Sequence, residues 1–360
     1  MQKNRVKIAF FLPYLEVGGI EKLYVSYVNH LVAYYDVFLI TCCADGAYRE
    51  MISNKVNILE MKGTRIRTSL FKLISVLKRE KFDVVVGSNI LANIVMLIAS
   101  FFVRDTKYIV TQHSYINNES KHMGFYARFF LFYMKILYPK ADKVIAVSKG
   151  IQEFLLKDVH LPKQKVHVIY NSIDIQDTLE KSTLIPKIKF ENYIMYLGRM
   201  TNVKNIPFLL KAFDKVADEN LSLCLVGDGP CANELRSIAG TCRKSNKIIF
   251  LGAKSNPMPY LKKAKCLVLP SLSESFGIVL LEAICLNTPV VTTPTEGALE
   301  VVSRCPSAFI INSFDNITEL ARNIENAVKH KGDKFDTYVR RFSTEKSVQE
   351  LKQLIDSLIK

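Results

Sequence analysis

The strongest constraint on this chain is an alternation that runs along it twice. Short runs rich in β-branched and aromatic residues are followed by longer stretches whose apolar residues recur at helical spacing. In the first series KIAFFLPY, DVFLITCC, FDVVVG, YIVTQHS, DKVIAVSK and VHVIYNS read as strands. GGIEKLYVSYVNHLVAY reads as a helix, and Leu70, Leu73, Ile74 and Leu77 mark the buried face of another. Strands that are apolar on both sides, separated by helices, predict a parallel sheet covered on both faces. Residues 172–192 are charged, carry Pro186 and lack a strong period, so they read as a linker. The alternation then restarts with YIMYLGR, a helix over 207–218, LSLCLVGDG, a helix over 233–242, KIIFLGA, CLVLPS, a helix over 277–286, and PVVTTP. A helix near Ile317–Lys329 follows, and a last one over 343–360 closes the chain. The expected fold class is α/β, with two doubly wound domains over 1–172 and 190–342 facing each other across a cleft. Sheets of this kind bind ligands outside the carboxyl ends of their strands.

Composition narrows the function. An apolar fraction of 49% with 23% charged residues excludes a mainly disordered or fibrous chain. Lys and Arg exceed Asp and Glu by 49 to 34, net +15. The excess is uneven: residues 1–170 hold 24 basic against 13 acidic residues, net +11, and the remainder 25 against 21, net +4. An anionic partner is therefore expected at the N-terminal half. Eight cysteines without a C-x-x-C pair, and six histidines without metal-ligand spacing, predict buried thiols in a reducing compartment and no metal. The apolar start IAFFLPYL mimics a signal peptide, but Pro13 and Glu16 interrupt it and no cleavage site follows. Residues 84–103 carry no charge, yet GSN splits them into a strand and a helix too short to span hydrocarbon. A cytoplasmic chain is expected.

Five local patterns carry chemistry. In SESFGIVLLEA, Glu274 lies in a loop after a strand and Glu282 about two turns into the next helix. Between them Ser275, Phe276 and Gly277 sit at the helix start, where free N–H groups favour an anion. In LGRMTNVKN, Gly198 ends a strand and is followed by Arg199 and Lys204, two cations suited to a diphosphate. VGDGP offers Gly227 and Gly229 for a tight turn, but lacks the third glycine and the downstream acid of a dinucleotide fingerprint. Gly18 and Gly19 open the first helix with bare backbone. His113, in TQHS, stands at a strand end that would face the crevice. Each pattern also has a plain structural reading: an exposed helix, solvated loop charges, a simple turn, or a core histidine.

Taken together, GGIEK (18–22), TQHS (111–114), ADKVIAVSKG (141–150), NSID (171–174), GRMTNVKN (198–205), VGDGP (226–230) and ESFGIVLLEA (274–283) resemble glycosyltransferase family 4, the retaining group 1 enzymes of the GT-B fold. The pieces run in the family's order and cover most of the chain. NSID stands where NGID is common, TQHS lacks the frequent HD pair, and GGIEK replaces GGAE. The resemblance implies two Rossmann-like domains with the C-terminal helix crossing back to the first. It implies a nucleotide-sugar donor, UDP being common in the family, with no cofactor and no metal. Glu282 would hold the ribose hydroxyls, Arg199 and Lys204 the diphosphate, and Glu274 with the backbone at Phe276 and Gly277 the donor sugar. Gly19 would approach the diphosphate, and His113 the sugar near its reacting carbon.

The N-terminal domain of this fold takes the acceptor. FYARFFLFYMKILY, residues 125–138, carries seven aromatics and two cations, with Lys121 just upstream. Its apolar positions run almost all the way round, which fits either a fully buried core helix or one bedded in a headgroup layer. With the +11, the resemblance points to a glycan or polyprenyl-diphosphate-linked acceptor at an anionic membrane surface, on its cytosolic face. No nucleic-acid recognition motif is present, so nucleic acid is not expected as a partner. A nucleic-acid-binding protein would leave the crevice residues idle, and a Rossmann-type oxidoreductase would need the missing glycine and acid. A catalytically silent relative would be expected to lack Lys204 or Glu274.

Overall fold

The unbroken apolar runs become interior strands. Val84, Val85 and Val86 are almost wholly buried, and neighbouring residues of one strand feed different cores. Ile8 and Phe10 pack with Leu23, Tyr24 and Val28, whereas Ala9 and Phe11 pack with Leu73, Leu77, Met96 and Met134. A sheet buried on both faces in this way has to carry apolar side chains at successive positions. The structure, a computed structural model, describes residues 5–16, 18–62, 65–116, 124–185, 191–330, 332 and 336–359. Lys121 and Pro186 lie outside the described residues.

The chain divides into two units, Met1–Ser172 with Thr344–Lys360, and Ile173–Ser343. The first holds a seven-stranded sheet: β1 (Lys7–Phe11), β2 (Asp36–Thr41), β3 (Asn57–Glu60), β4 (Val84–Gly87), β5 (Lys107–Gln112), β6 (Lys143–Ala146) and β7 (Val166–Val168). Their order is β3-β2-β1-β4-β5-β6-β7, parallel throughout. The second unit holds β8 (Tyr193–Leu197), β9 (Ser222–Val226), β10 (Ile248–Gly252), β11 (Leu267–Leu269), β12 (Val290–Thr292) and β13 (Ala308–Ile310). Their order, β10-β9-β8-β11-β12-β13, is again parallel. In both sheets the order reverses once, at β1/β4 and at β8/β11, the position where a doubly wound sheet opens a crevice.

Three sequence expectations change. First, the linker over 172–192 is partly ordered. The Asp174 side chain accepts the Asp177 N–H and caps a helix, Ile175–Lys181, whose last carbonyl accepts from Asn256 Nδ2 at 2.9 Å. Seven residues are too few to show a helical period. Second, the edge strands β3 and β13 were not foreseen. They are short and half-buried, so they lack the continuous apolar signal of interior strands. Third, the aromatic helix is neither fully buried nor fully exposed. Over Gly124–Leu137 it buries Met134 and Leu137 in the core but leaves Phe129, Phe132 and Ile136 exposed at 44%, 59% and 50%. Phe125 and Tyr126 have side chains outside the described set.

The uncharged stretch at 84–103 forms β4, an Asn89 cap that accepts the Ala92 N–H at 3.0 Å, and the helix Ile90–Ala99. Among the described residues no helix is long and apolar enough to cross a membrane. The last helix, Thr344–Asp356, returns to the first unit and packs along Gly19–Leu31. Val348, Leu351, Leu354 and Ile355 share a core with Tyr24, Tyr27 and Leu31, and each such buried side chain contributes roughly 1.5–3 kcal/mol. Ser347 Oγ donates to Ser172 Oγ at 2.8 Å and Tyr35 Oη to Asp356 at 2.6 Å, fixing both ends of the crossing.

Candidate functional site

At the reversal point of the second unit, two loops leave adjacent strands and bind each other. Past β8, Gly198 (φ 153°) turns the chain, and a tight turn at Asn202–Lys204 ends on Asn205. Asn205 adopts left-handed φ 51° and starts the helix Ile206–Phe213. Asparagine tolerates that conformation better than most residues. Past β11, the loop runs through Ser271 and Glu274 to Gly277. Gly277 (φ 82°) starts the helix Ile278–Cys285, where a side chain would be strained. Leu272 N–H donates to the Val203 carbonyl at 2.8 Å, joining the two loops through backbone.

That joint places Lys204 Nζ on Glu274 Oε1 as an ion pair, with 23% and 11% of the side chains exposed. The same carboxylate oxygen accepts from Ser271 Oγ at 2.8 Å. Ser271 is fully buried, and its carbonyl accepts from Thr293 Oγ1. Arg199 is exposed, and among the described residues its guanidinium makes no ion pair or hydrogen bond. Tyr196 Oη donates to the Arg199 carbonyl at 3.0 Å. Burial, with the Glu274 charge nearby, pushes the Tyr196 phenol far above its ordinary value, so it remains a donor. A free guanidinium, a paired ammonium and a helix N-terminus thus share one end of the sheet, which suits a polyanion.

The glycines of VGDGP have a steric task. A Cβ on Gly227 (φ 135°) would lie 1.9 Å from the Gly198 carbonyl oxygen, and one on Gly229 (φ 159°) 2.4 Å from that of Met200. Met200 N–H donates to the Asp228 carbonyl at 2.8 Å, and Cys231 N–H to the Met200 carbonyl at 3.1 Å. Close backbone packing therefore requires glycine at both positions. Glu282 is buried on the helix Ile278–Cys285, and Phe276 is buried edge-on against Phe342, ring centroids 5.4 Å apart. Ser275 lies between Glu274 and Phe276, partly exposed.

Sequence reasoning missed Ser271, Thr293 and Gly297. Gly297 N–H donates to the Glu274 carbonyl at 3.2 Å. A Cβ there would fall 2.3–2.4 Å from backbone atoms of Glu274, Ser275 and Phe276, so the helix Glu296–Val302 seats directly on the loop. The signal was present as a glycine at a helix start after PVVTTP, but its use depends on a loop over twenty residues away in sequence.

Gly18, Gly19 and His113 belong to the first unit. Gly18 caps the helix Gly19–Leu31 in extended conformation, and the Glu21 carboxylate folds against it. Burial, reinforced by Glu16, holds the Glu21 carboxyl above its ordinary value, although its backbone hydrogen bond opposes the shift. His113 follows β5, yet both ring nitrogens are shielded and without a hydrogen-bond partner among the described residues. Its ring packs edge-on against Tyr24 at 5.9 Å and lines a small cavity with Tyr27, Thr111 and Leu351. Burial pushes its pKa down to about 4, although the Asn171 side chain nearby opposes the shift, so the imidazole is neutral near pH 7. The ring nitrogens of His113 are thus shielded on the side of Tyr24 and the final helix, while the residue as a whole stays partly exposed. Ser88 Oγ and Asn171 Oδ1, also just past strand ends, are likewise buried and unpaired among the described residues.

Two doubly wound parallel units, one following the other with a helix returned to the first, define the GT-B class of fold. The solved structure of Anabaena Alr3699/HepE in complex with UDP and glucose shares it at a TM-score of 0.84, with 20% identity over 98% of this chain and 100% of that one. Residues 17–177 match the model of Glycosyltransferase Family 4, and residues 180–341 that of Glycosyl transferases group 1. The chain belongs to this glycosyltransferase family.

Among curated relatives, a Campylobacter jejuni N-acetylgalactosamine-N,N'-diacetylbacillosaminyl-diphospho-undecaprenol 4-alpha-N-acetylgalactosaminyltransferase is 27% identical over 56% of this chain and 54% of its own length. A second C. jejuni protein, a GalNAc-alpha-(1->4)-GalNAc-alpha-(1->3)-diNAcBac-PP-undecaprenol alpha-1,4-N-acetyl-D-galactosaminyltransferase, is 25% identical over 89% of this chain and 88% of its own. The O-antigen chain mannosyltransferase RfbU of Salmonella typhimurium is 30% identical over 59% of each. The chain spans about half to two thirds of the length of several curated relatives it matches.

Proposed function

We propose that this chain is a retaining glycosyltransferase that moves a hexose or N-acetylhexosamine from a nucleotide sugar to a lipid-linked surface-glycan acceptor, without a metal or cofactor. The observation that carries the reading is the joining of Lys204, Glu274 and the Gly277 helix start at the reversal point of one sheet, with an exposed Arg199 on the same loop as Lys204. Arg199 and Lys204 neutralise the diphosphate as it leaves. Glu274 and the backbone of Ser275, Phe276 and Gly277 hold the sugar, and Glu282 takes the ribose. Cations and N–H groups already in place stabilise developing phosphate charge without reorganising, a contribution that mutagenesis of comparable donors puts at roughly 10²–10³-fold per group.

UDP is the nucleotide we favour; the UDP-bound solved neighbour supports it. The undecaprenol-linked and O-antigen glycans named for the relatives support the acceptor class. The exposed Phe129, Phe132 and Ile136, flanked by exposed Arg128 and Lys135, support placement at the inner face of the cell membrane on anionic lipid. A thermal-shift screen against UDP, GDP and ADP sugars tests the donor, since a ligand of the folded state raises the melting temperature by mass action. Stabilisation by one class is expected, and no response to any would overturn the reading. Flotation with anionic liposomes tests the membrane; no binding at low salt would remove that part.

A further inference from the structure

We propose that Ser271 is a positioning residue: its hydroxyl holds the Glu274 carboxylate when Lys204 turns from it to the donor's diphosphate. The inference rests on the donor reading given above. Lys204 Nζ and Ser271 Oγ both donate to the one oxygen, Oε1, of Glu274. The other oxygen has no partner among the described residues and is left for a sugar hydroxyl. One ammonium cannot neutralise a carboxylate and a diphosphate at full strength. When it moves, a largely buried carboxylate loses its counter-charge, which is costly unless another donor remains.

Ser271 is built to remain. It is fully buried, Thr293 Oγ1 holds its carbonyl, and the next N–H is bound to Val203. Its hydroxyl therefore stays on Oε1 while the longer, part-exposed lysine side chain swings. The hydroxyl also fixes the carboxylate's rotation, so the free oxygen keeps its aim through the exchange. Lys204 and Glu274 then serve two parts of one donor although they start bound to each other.

The test uses the full chain and whichever of UDP-glucose, GDP-mannose and ADP-glucose most raises its melting temperature, with Kd read by calorimetry. Ser271→Ala is expected to weaken Kd about tenfold, the scale of one hydrogen bond to a charged group. Ser271→Thr, which keeps the hydroxyl, is expected within about threefold of the parent. In a Glu274→Gln background, Ser271→Ala is expected to add almost nothing, because no carboxylate needs the second donor. Equal losses in both backgrounds, or a Ser271→Ala affinity like the parent's, would overturn the positioning role while leaving donor binding intact. Failure of all three sugars to bind the parent would overturn the donor reading itself, and this inference with it. Should Ser271→Ala not fold, Ser271→Cys carries the comparison, as a similar-sized but weaker donor expected to lose affinity too.

Discussion

The strand ends of the two units are finished in opposite ways. In the second unit the loops after β8, β9 and β11 are knitted by backbone bonds, glycine contacts and the Lys204–Glu274–Ser271 cluster. In the first unit, residues just past β4, β5 and β7 keep buried polar atoms with no partner among the described residues: Ser88 Oγ, both nitrogens of His113, and Asn171 Oδ1. A buried polar atom without a partner is costly, and the first unit's strand ends carry more of them than the second's, where Thr295 Oγ1 past β12 is the counterpart among the described residues. The second unit's cluster suits the polyanion proposed for it, because its cation, carboxylate and helix start are already held in place. The same parallel scaffold thus supports a stiff site in one copy and a less satisfied one in the other.

This contrast can be broken experimentally, beginning with the stiff side. Lys204→Ala should lower turnover by roughly 10²–10³-fold, measured with the nucleotide sugar found by the thermal screen, while the melting temperature changes little. Full activity would refute the assigned role. Gly297→Ala forces a Cβ into the backbone of residues 274–276. It should destabilise the second unit by about 3 kcal/mol in urea unfolding, at the upper end of what overpacking usually causes. A neutral result would mean that the Glu274 loop is not held as tightly as its contacts indicate.

On the other side, His113 makes stability pH-dependent. The folded imidazole gains a proton only near pH 4, whereas an unfolded one does so near 6.5. Between these values the unfolded chain binds more protons, so stability falls as pH drops from about 6.5 to about 4. The loss approaches about 3 kcal/mol at the acid end. His113→Gln should flatten that slope in urea titrations at several pH values; an unchanged slope would show that the ring does not carry it. Replacing Phe129 and Phe132 together by Ser should weaken liposome binding by about tenfold, with little change in stability because both rings are exposed.

Much of the site was legible because it is written in local chemistry. Arg199, Lys204, Glu274 and Gly277 lie in the loops that leave two apolar strands, β8 and β11, and such loops line the crevice of a parallel sheet. What escaped depended on other parts of the chain. Ser271 and Gly297 gain their use only when the loops after β11 and β12 meet. That Gly227 and Gly229 pack against the Gly198 and Met200 carbonyls could not be read from VGDGP alone. The shielding of the His113 ring nitrogens escaped too, because the wall formed by Tyr24 and the final helix comes from opposite ends of the sequence.

By itself the sequence determined the class of fold and the family, and it singled out the cations and carboxylates that follow the strands of the second unit. Those properties follow from periodicity and from residue types at strand ends, which act over a few positions. Tertiary structure alone decided which carboxylate oxygen the lysine meets, which glycines serve packing, and which face of the aromatic helix stays bare. Each of these depends on contacts between segments distant in the chain, and no local pattern encodes them.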